Sequence, residues 1–165
     1  MELSSKLWGC GGRFSEQMNV TLAQLNNSLA VDKRLYAEDI RGSVAYAEVL
    51  SEINLITKSE FDQIKSAFNI ILCEWKNDEI ELKDDDEDVH SVNERRLIEI
   101  IGDVGRKLHT GRSRNEQVVV DMKLWMKDAL KKLLEVLSML LETFVIQSEK
   151  HINVIMSGYT HLQVR

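Results

Sequence analysis

The sequence predicts an all-α fold, and three observations carry that prediction. Proline is absent from all 165 residues, where average usage of about 5% would give roughly eight. A chain without proline has few rigid turns and nothing that breaks a helix. Between Gly111 and Gly158 there is neither glycine nor proline. Elsewhere, apolar residues return every three or four positions, the period of a helix with one buried face.

The elements follow in order. Leu35, Ile40, Val44, Ala47 and Leu50 mark one amphipathic helix. Asn54 and Thr57 bracket the turn after it. Thr57-Lys-Ser-Glu60 is a capping box, in which hydroxyl and carboxylate each satisfy an orphan amide of a first turn. Phe61, Ile64, Phe68, Ile71, Leu72 and Trp75 continue it as a second helix. Val89, Val92, Leu97, Ile100 and Ile101 form a shorter third, ended by Gly102 and Gly105. From about Glu116 to about His151, a stripe including Val118, Met122, Trp125, Leu133, Leu140 and Phe144 predicts one helix roughly 54 Å long. That length suits a bundle or an oligomer core, and the rest of so short a chain does not bury the stripe. The expected division is a helical domain over 1–115 and the start of a helix-bundle domain over 116–165.

Bulk properties exclude some functions. The chain is long enough for about one domain. Its net charge of −6 argues against a nucleic-acid surface. No apolar run reaches the roughly 18 residues of a membrane span. Met1 to Trp8 has no secretory apolar core, and arginine is nearly absent before Arg34, which disfavours mitochondrial import. Cys10 and Cys73 match no metal spacing and read as reduced thiols.

Three segments have the residue types for chemistry. Arg106, Lys107, His109, Arg112 and Arg114 crowd into nine residues of an otherwise acidic chain, with Thr110, Ser113 and Asn115 as further donors. Gly111 permits close backbone approach, and the following helix turns its positive end toward the loop. The segment is either an anion site suited to carboxylates or a basic loop paired with nearby acids. Gly158-Tyr-Thr-His-Leu-Gln163 closes the long helix. His161 there is either a proton carrier near neutral pH or a structural histidine. Asp84 to Asp88, followed by His90, has the composition of a hard-cation site but lacks a calcium loop's glycine. It reads better as a solvated charge run whose far end caps a helix.

Together these segments resemble the argininosuccinate lyase family, within the fumarase and aspartase superfamily. The likeness runs through Lys6-Leu-Trp-Gly, Gly11-Gly12-Arg13-Phe14, Asp39-Ile-Arg-Gly-Ser43 and Glu87-Asp-Val-His-Ser-Val-Asn-Glu94. It is densest in the specific string Lys107-Leu-His-Thr-Gly-Arg-Ser-Arg-Asn115 and ends at Gly158 to Gln163. The resemblance implies a cytoplasmic homotetramer built round long helices. It also implies cofactor-free, metal-free, reversible cleavage of argininosuccinate to arginine and fumarate, a step of arginine biosynthesis or the urea cycle. By position, Ser28, Arg114, Asn115 and Thr160 resemble substrate-binding residues, and His161 resembles the histidine assigned an acid–base role. Asp88 and His90 match a polar group near the site.

Three departures are visible. Cys10 is an extra residue in the Leu-Trp-Gly-Gly-Arg-Phe run, and Glu116 stands where the family commonly has aspartate. After Arg165 the family continues into the rest of the bundle and a serine loop, so the chain is expected to be an inactive fragment. The other readings are a crystallin-like structural relative and a truncated subunit that modulates full-length tetramers. With a helix of that length between them, His161 is not expected to join Ser28 and Asn115 of its own chain. Ser28 is expected near Arg114 and Asn115.

Overall fold

The computed structural model describes residues 19–83 and 86–164. The readings placed on Lys6 to Phe14, Cys10, Asp84 and Asp85 lie outside the described residues. Helices dominate, as the sequence predicts. They are α1 (Val20–Asn26), α2 (Leu29–Asp32), α3 (Tyr36–Glu52), α4 (Lys58–Lys76), α5 (Val89–Ile101), α6 (Asp103–Arg106) and α7 (Arg114–Lys150). Single 3-10 turns occupy Lys33–Leu35 and Lys107–His109. Two short antiparallel strands follow, β1 (Tyr159–Thr160) and β2 (Gln163–Val164). The backbone divides into two units, one reaching to Trp125 and the other running from Met126.

The first unit is a packed helical domain. Ile40, Ala47 and Leu50 of α3, Phe61, Ile64, Phe68 and Ile71 of α4, and Leu97 of α5 are buried in one cluster. These are the apolar positions that the three- and four-residue spacing assigned to the inner faces. A smaller cluster joins Leu29 of α2 to Val89 and Val92 of α5. Tyr36 stacks on Trp75 at 5.2 Å between ring centroids, and Trp75 Nε1 donates to Asn93 Oδ1 at 2.8 Å. The amphipathic indole thereby packs and satisfies its one donor together.

The caps explain where the helices begin and end. Glu60 N–H donates to Thr57 Oγ1 at 3.2 Å, and Glu60 Oε2 accepts from Thr57 N–H at 2.8 Å, closing the capping box of α4. Thr57→Ala removes the hydroxyl half. It is expected to cost about 1 kcal/mol in a chemical denaturation midpoint, whereas Ser59→Ala, one residue inside the same helix, should cost much less. Asp88 caps α5 by accepting from Ser91 N–H at 2.7 Å. Gly102 ends α5 at φ 63 and ψ −138, a backbone region open essentially to glycine.

Three local expectations are corrected. Asp86 is buried at 3% exposure, not solvated, because Arg95 reaches both of its oxygens at 2.9 Å. Gly105 lies within α6 and does not terminate α5. The Gly158–Gln163 segment does not close α7, which stops at Lys150. It forms the β1–β2 hairpin, with His161 at φ 53 and Leu162 at φ 61 in the turn. A two-residue hairpin turn of type I′ requires positive φ at both central positions, and a side chain there costs roughly 1–2 kcal/mol per residue.

The second unit holds the rest of α7 and the hairpin. Its apolar side chains are open, among them Leu133 at 61% and Phe144 at 60% exposure. Among the described residues, no helix is long and apolar enough to cross a membrane.

Candidate functional site

The basic loop between α6 and α7 is shaped by pairing its own charges. Lys107 Nζ meets Glu60 Oε1 at 2.5 Å, and His109 Nδ1 lies 3.7 Å from Glu94 Oε2. Arg114 Nε lies 3.2 Å from Asp88 Oδ2, and its NH1 donates to Gln117 Oε1 at 3.0 Å. The reading of a loop paired with nearby acids is therefore correct for much of the charge. Glu94 shows the balance: burial pushes its carboxyl above the usual range, while the nearby His109 and Arg114 pull it back.

Arg112 turns inward. Its NH1 donates to Ser43 Oγ at 2.8 Å, and its guanidinium stands 5.1 Å from the Tyr46 ring centroid. Tyr46 O–H in turn donates to the Thr110 carbonyl at 2.7 Å. Between these anchors Gly111 takes φ 68, the left-handed turn that brings the chain round into α7. At the start of α7, Glu116 Oε2 accepts from Ser113 N–H at 3.4 Å. The longer glutamate arm thus reaches back to the loop as a cap.

The five residues singled out for binding and catalysis fall into two groups. Ser28, Arg114 and Asn115 belong to the first unit. Ser28 N–H and Leu29 N–H both donate to the Glu87 carbonyl, at 2.9 and 3.2 Å. Ser28 Oγ donates to Asp32 Oδ2 at 2.5 Å, and Asp32 Oδ1 accepts from Val89 N–H at 3.1 Å. Residues 86–89 are thus a shared anchor, holding Ser28 on the Glu87 carbonyl and Arg114 on the Asp88 carboxylate. Ser28 and Asn115 are exposed, and Arg114 is partly buried. Thr160 and His161 are exposed on the hairpin of the second unit, Thr160 in β1 and His161 in its turn.

Behind the loop lies a buried polar junction that sequence reasoning missed. Asp39 of α3 is 1% exposed. It accepts from His90 Nδ1 at 2.9 Å, Asn93 Nδ2 at 2.8 Å and Gln117 Nε2 at 3.5 Å. Burial alone would raise its carboxyl, but the hydrogen bond and charge of His90 outweigh it and hold Asp39 below the usual range. Burial depresses His90, yet the bond to Asp39 raises it overall. The two therefore fold as an ion pair. The detectable signal was spacing: Asp39 and Ser43, His90 and Glu94, and Gln117 and Asp121 are polar pairs four residues apart on three helices. Helical periodicity assigns such pairs to solvent, whereas here they face one another.

The model of a family described as Lyase matches residues 12–164. An argininosuccinate lyase of Schizosaccharomyces pombe is 47% identical over 160 residues, covering 97% of this chain and 34% of the relative. An argininosuccinate lyase of Staphylococcus saprophyticus is 45% identical over 161 residues, covering 98% and 35%. One of Roseiflexus is 42% identical over 157 residues, covering 95% and 34%. The chain spans about a third of the length of the curated relatives it matches. With 153 positions aligned between residues 12 and 164, the chain belongs to the Lyase family.

Proposed function

We propose that this chain is the substrate-cradling part of an argininosuccinate lyase. In that reaction a base removes a proton from the carbon beside a carboxylate, the carbon–nitrogen bond breaks, and the departing guanidino nitrogen takes a proton from an acid. Fumarate and arginine leave, with no cofactor and no metal. The observation that carries the reading is the identity of 42–47% to proteins of that name, spread over nearly the whole chain. The loop geometry supports it. Arg114 is braced by Asp88 and Gln117 next to the exposed Asn115, while Ser28 is anchored on the same 86–89 segment. Preorganised donors of this kind stabilise the doubly negative intermediate, because they need no rearrangement as charge develops.

His161 takes the acid–base role, and Thr160 binds substrate beside it. The exposed apolar side chains of α7 support assembly into a homotetramer, in which the histidine of one subunit meets the loop of another. The compartment is the cytoplasm, and neither nucleic acid nor membrane is a partner. A crystallin-like structural role has less support, since a protein kept for bulk has no use for Ser28, Arg114, Asn115, Thr160 and His161 together.

The test is a chimera in which these 165 residues replace the matching third of the fission-yeast relative. It should release fumarate from argininosuccinate, followed by ultraviolet absorbance. Arg114→Ala should lower kcat/KM by at least about 100-fold, the loss typical of one removed transition-state donor. A folded tetrameric chimera without turnover would sink the reading. These 165 residues expressed alone should show no turnover.

A further inference from the structure

Asp121, one turn after Gln117 on α7, is fully buried, and no hydrogen bond reaches either carboxylate oxygen among the described residues. Its Oδ2 lies 3.5 Å from His90 Nδ1, the same atom that bonds Asp39 Oδ1 at 2.9 Å. One ring N–H serves one acceptor well, and the shorter contact shows that Asp39 has it. An ionised Asp121 would be a buried charge without a donor, beside a second carboxylate that already uses the available donors. Such a charge is far more costly than a neutral acid.

We propose that Asp121 folds as the neutral carboxylic acid, buried at the junction of α3, α5 and α7 behind the basic loop. The groups facing it are Asp39 and Glu38 from α3, His90 from α5 and Arg112 from the loop before α7. Burial is the largest influence and pushes the Asp121 carboxyl up to about 7. Asp39 and Glu38 add to it, while His90 and Arg112 oppose it. In the unfolded chain the same group ionises near its ordinary value of 3.8. The folded state therefore binds more protons between those values. The stabilisation is complete below about pH 4 and is lost as pH rises through about 7.

Asp39, His90 and Asp121 also place one ligand atom each within 4.8 Å of one another, a donor set that could hold a divalent cation. Two features favour a proton instead. Asp39 already accepts from three side chains. The void beside the junction, between Asp39, Ser43 and Arg112, is about 10 Å³, room for one water. A proton needs no space.

The experiment compares the full 165-residue chain with Asp121→Asn, an isostere that does not ionise. Thermal melts are followed by circular dichroism from about pH 5 to about pH 8.5. Relative to wild type, the variant should gain stability as pH rises, reaching a Tm higher by roughly 4 °C or more at the alkaline end. Carboxyl-carbon NMR of aspartate-labelled wild type should show one aspartate titrating near neutrality, and Asp121→Ser assigns that signal by its loss. Parallel pH profiles, or no aspartate titrating above about pH 6, overturn the proposal. So does stoichiometric zinc or magnesium that survives dialysis in the wild type and is absent from Asp121→Asn. If the asparagine variant does not fold, the wild-type titration decides alone by the same criterion.

Discussion

Asp39→Ala is expected to leave the first unit barely folded, at a cost of about 3–5 kcal/mol, the range for breaking a buried ion pair from one side. Asp39 is the acceptor on which His90, Asn93 and Gln117 converge from two other helices. Without it His90 loses its 2.9 Å partner, two amide donors lose their acceptor, and Arg112 loses a buried counter-charge. Total stability of an ordinary domain is about 5–15 kcal/mol, so this loss is a large share. Asp39→Asn keeps an acceptor for Asn93 but not the charge, and should cost less. Urea unfolding followed by tryptophan fluorescence would measure both. A loss below about 1 kcal/mol for alanine would show that the junction is not what joins α3 to α5 and α7. The pH dependence has a definite sign. Because the folded carboxyl lies below its ordinary value, its stabilising contribution is present above the usual carboxylate range and is lost as pH falls through the depressed value.

The fold was legible where a local signal and a global one agree. Thr57 and Glu60 specify the start of α4 by themselves, Gly102 specifies the end of α5, and the stripe on α7 follows from period alone. The buried junction was not legible, because its partners sit 51 to 78 positions apart, as Asp39 does from His90 and Gln117. Nothing at Asp39 distinguishes a side chain that meets His90 from one that meets water. Asp86 illustrates the same point inside an acidic run: Arg95, nine residues on, converts a member of that run into a buried ion pair. The hairpin escaped for another reason. Two-residue strands carry no readable alternation, and His161-Leu162 lacks the glycine or asparagine that normally announces such a turn. In the basic loop, composition gave the cluster of cations. Which of them face a ligand depends on Glu60, Asp88 and Glu94, and no loop residue reveals those.

Two inactive chimeras mixed together are expected to regain activity. One carries Arg114→Ala, which removes a proposed cradle donor, and the other His161→Asn, which removes the proposed proton carrier while keeping a polar side chain of similar reach. General acid–base catalysis contributes typically about 10²–10⁴-fold and one transition-state donor about 10²–10³-fold, so each variant alone should fall by at least two orders of magnitude in kcat. If the cradle and the histidine of one site come from different subunits, random reassembly gives some sites an intact cradle from one variant and an intact histidine from the other. With one contribution from each of two subunits, roughly a quarter of the sites should be wild type in both halves. That recovery would stand far above either parent. The readout is fumarate release after joint denaturation and refolding, compared with the two variants refolded separately and then mixed. Activity in the co-refolded sample alone identifies sites assembled between chains. If the co-refolded chimeras are no more active than their parents, cradle and histidine act within one chain.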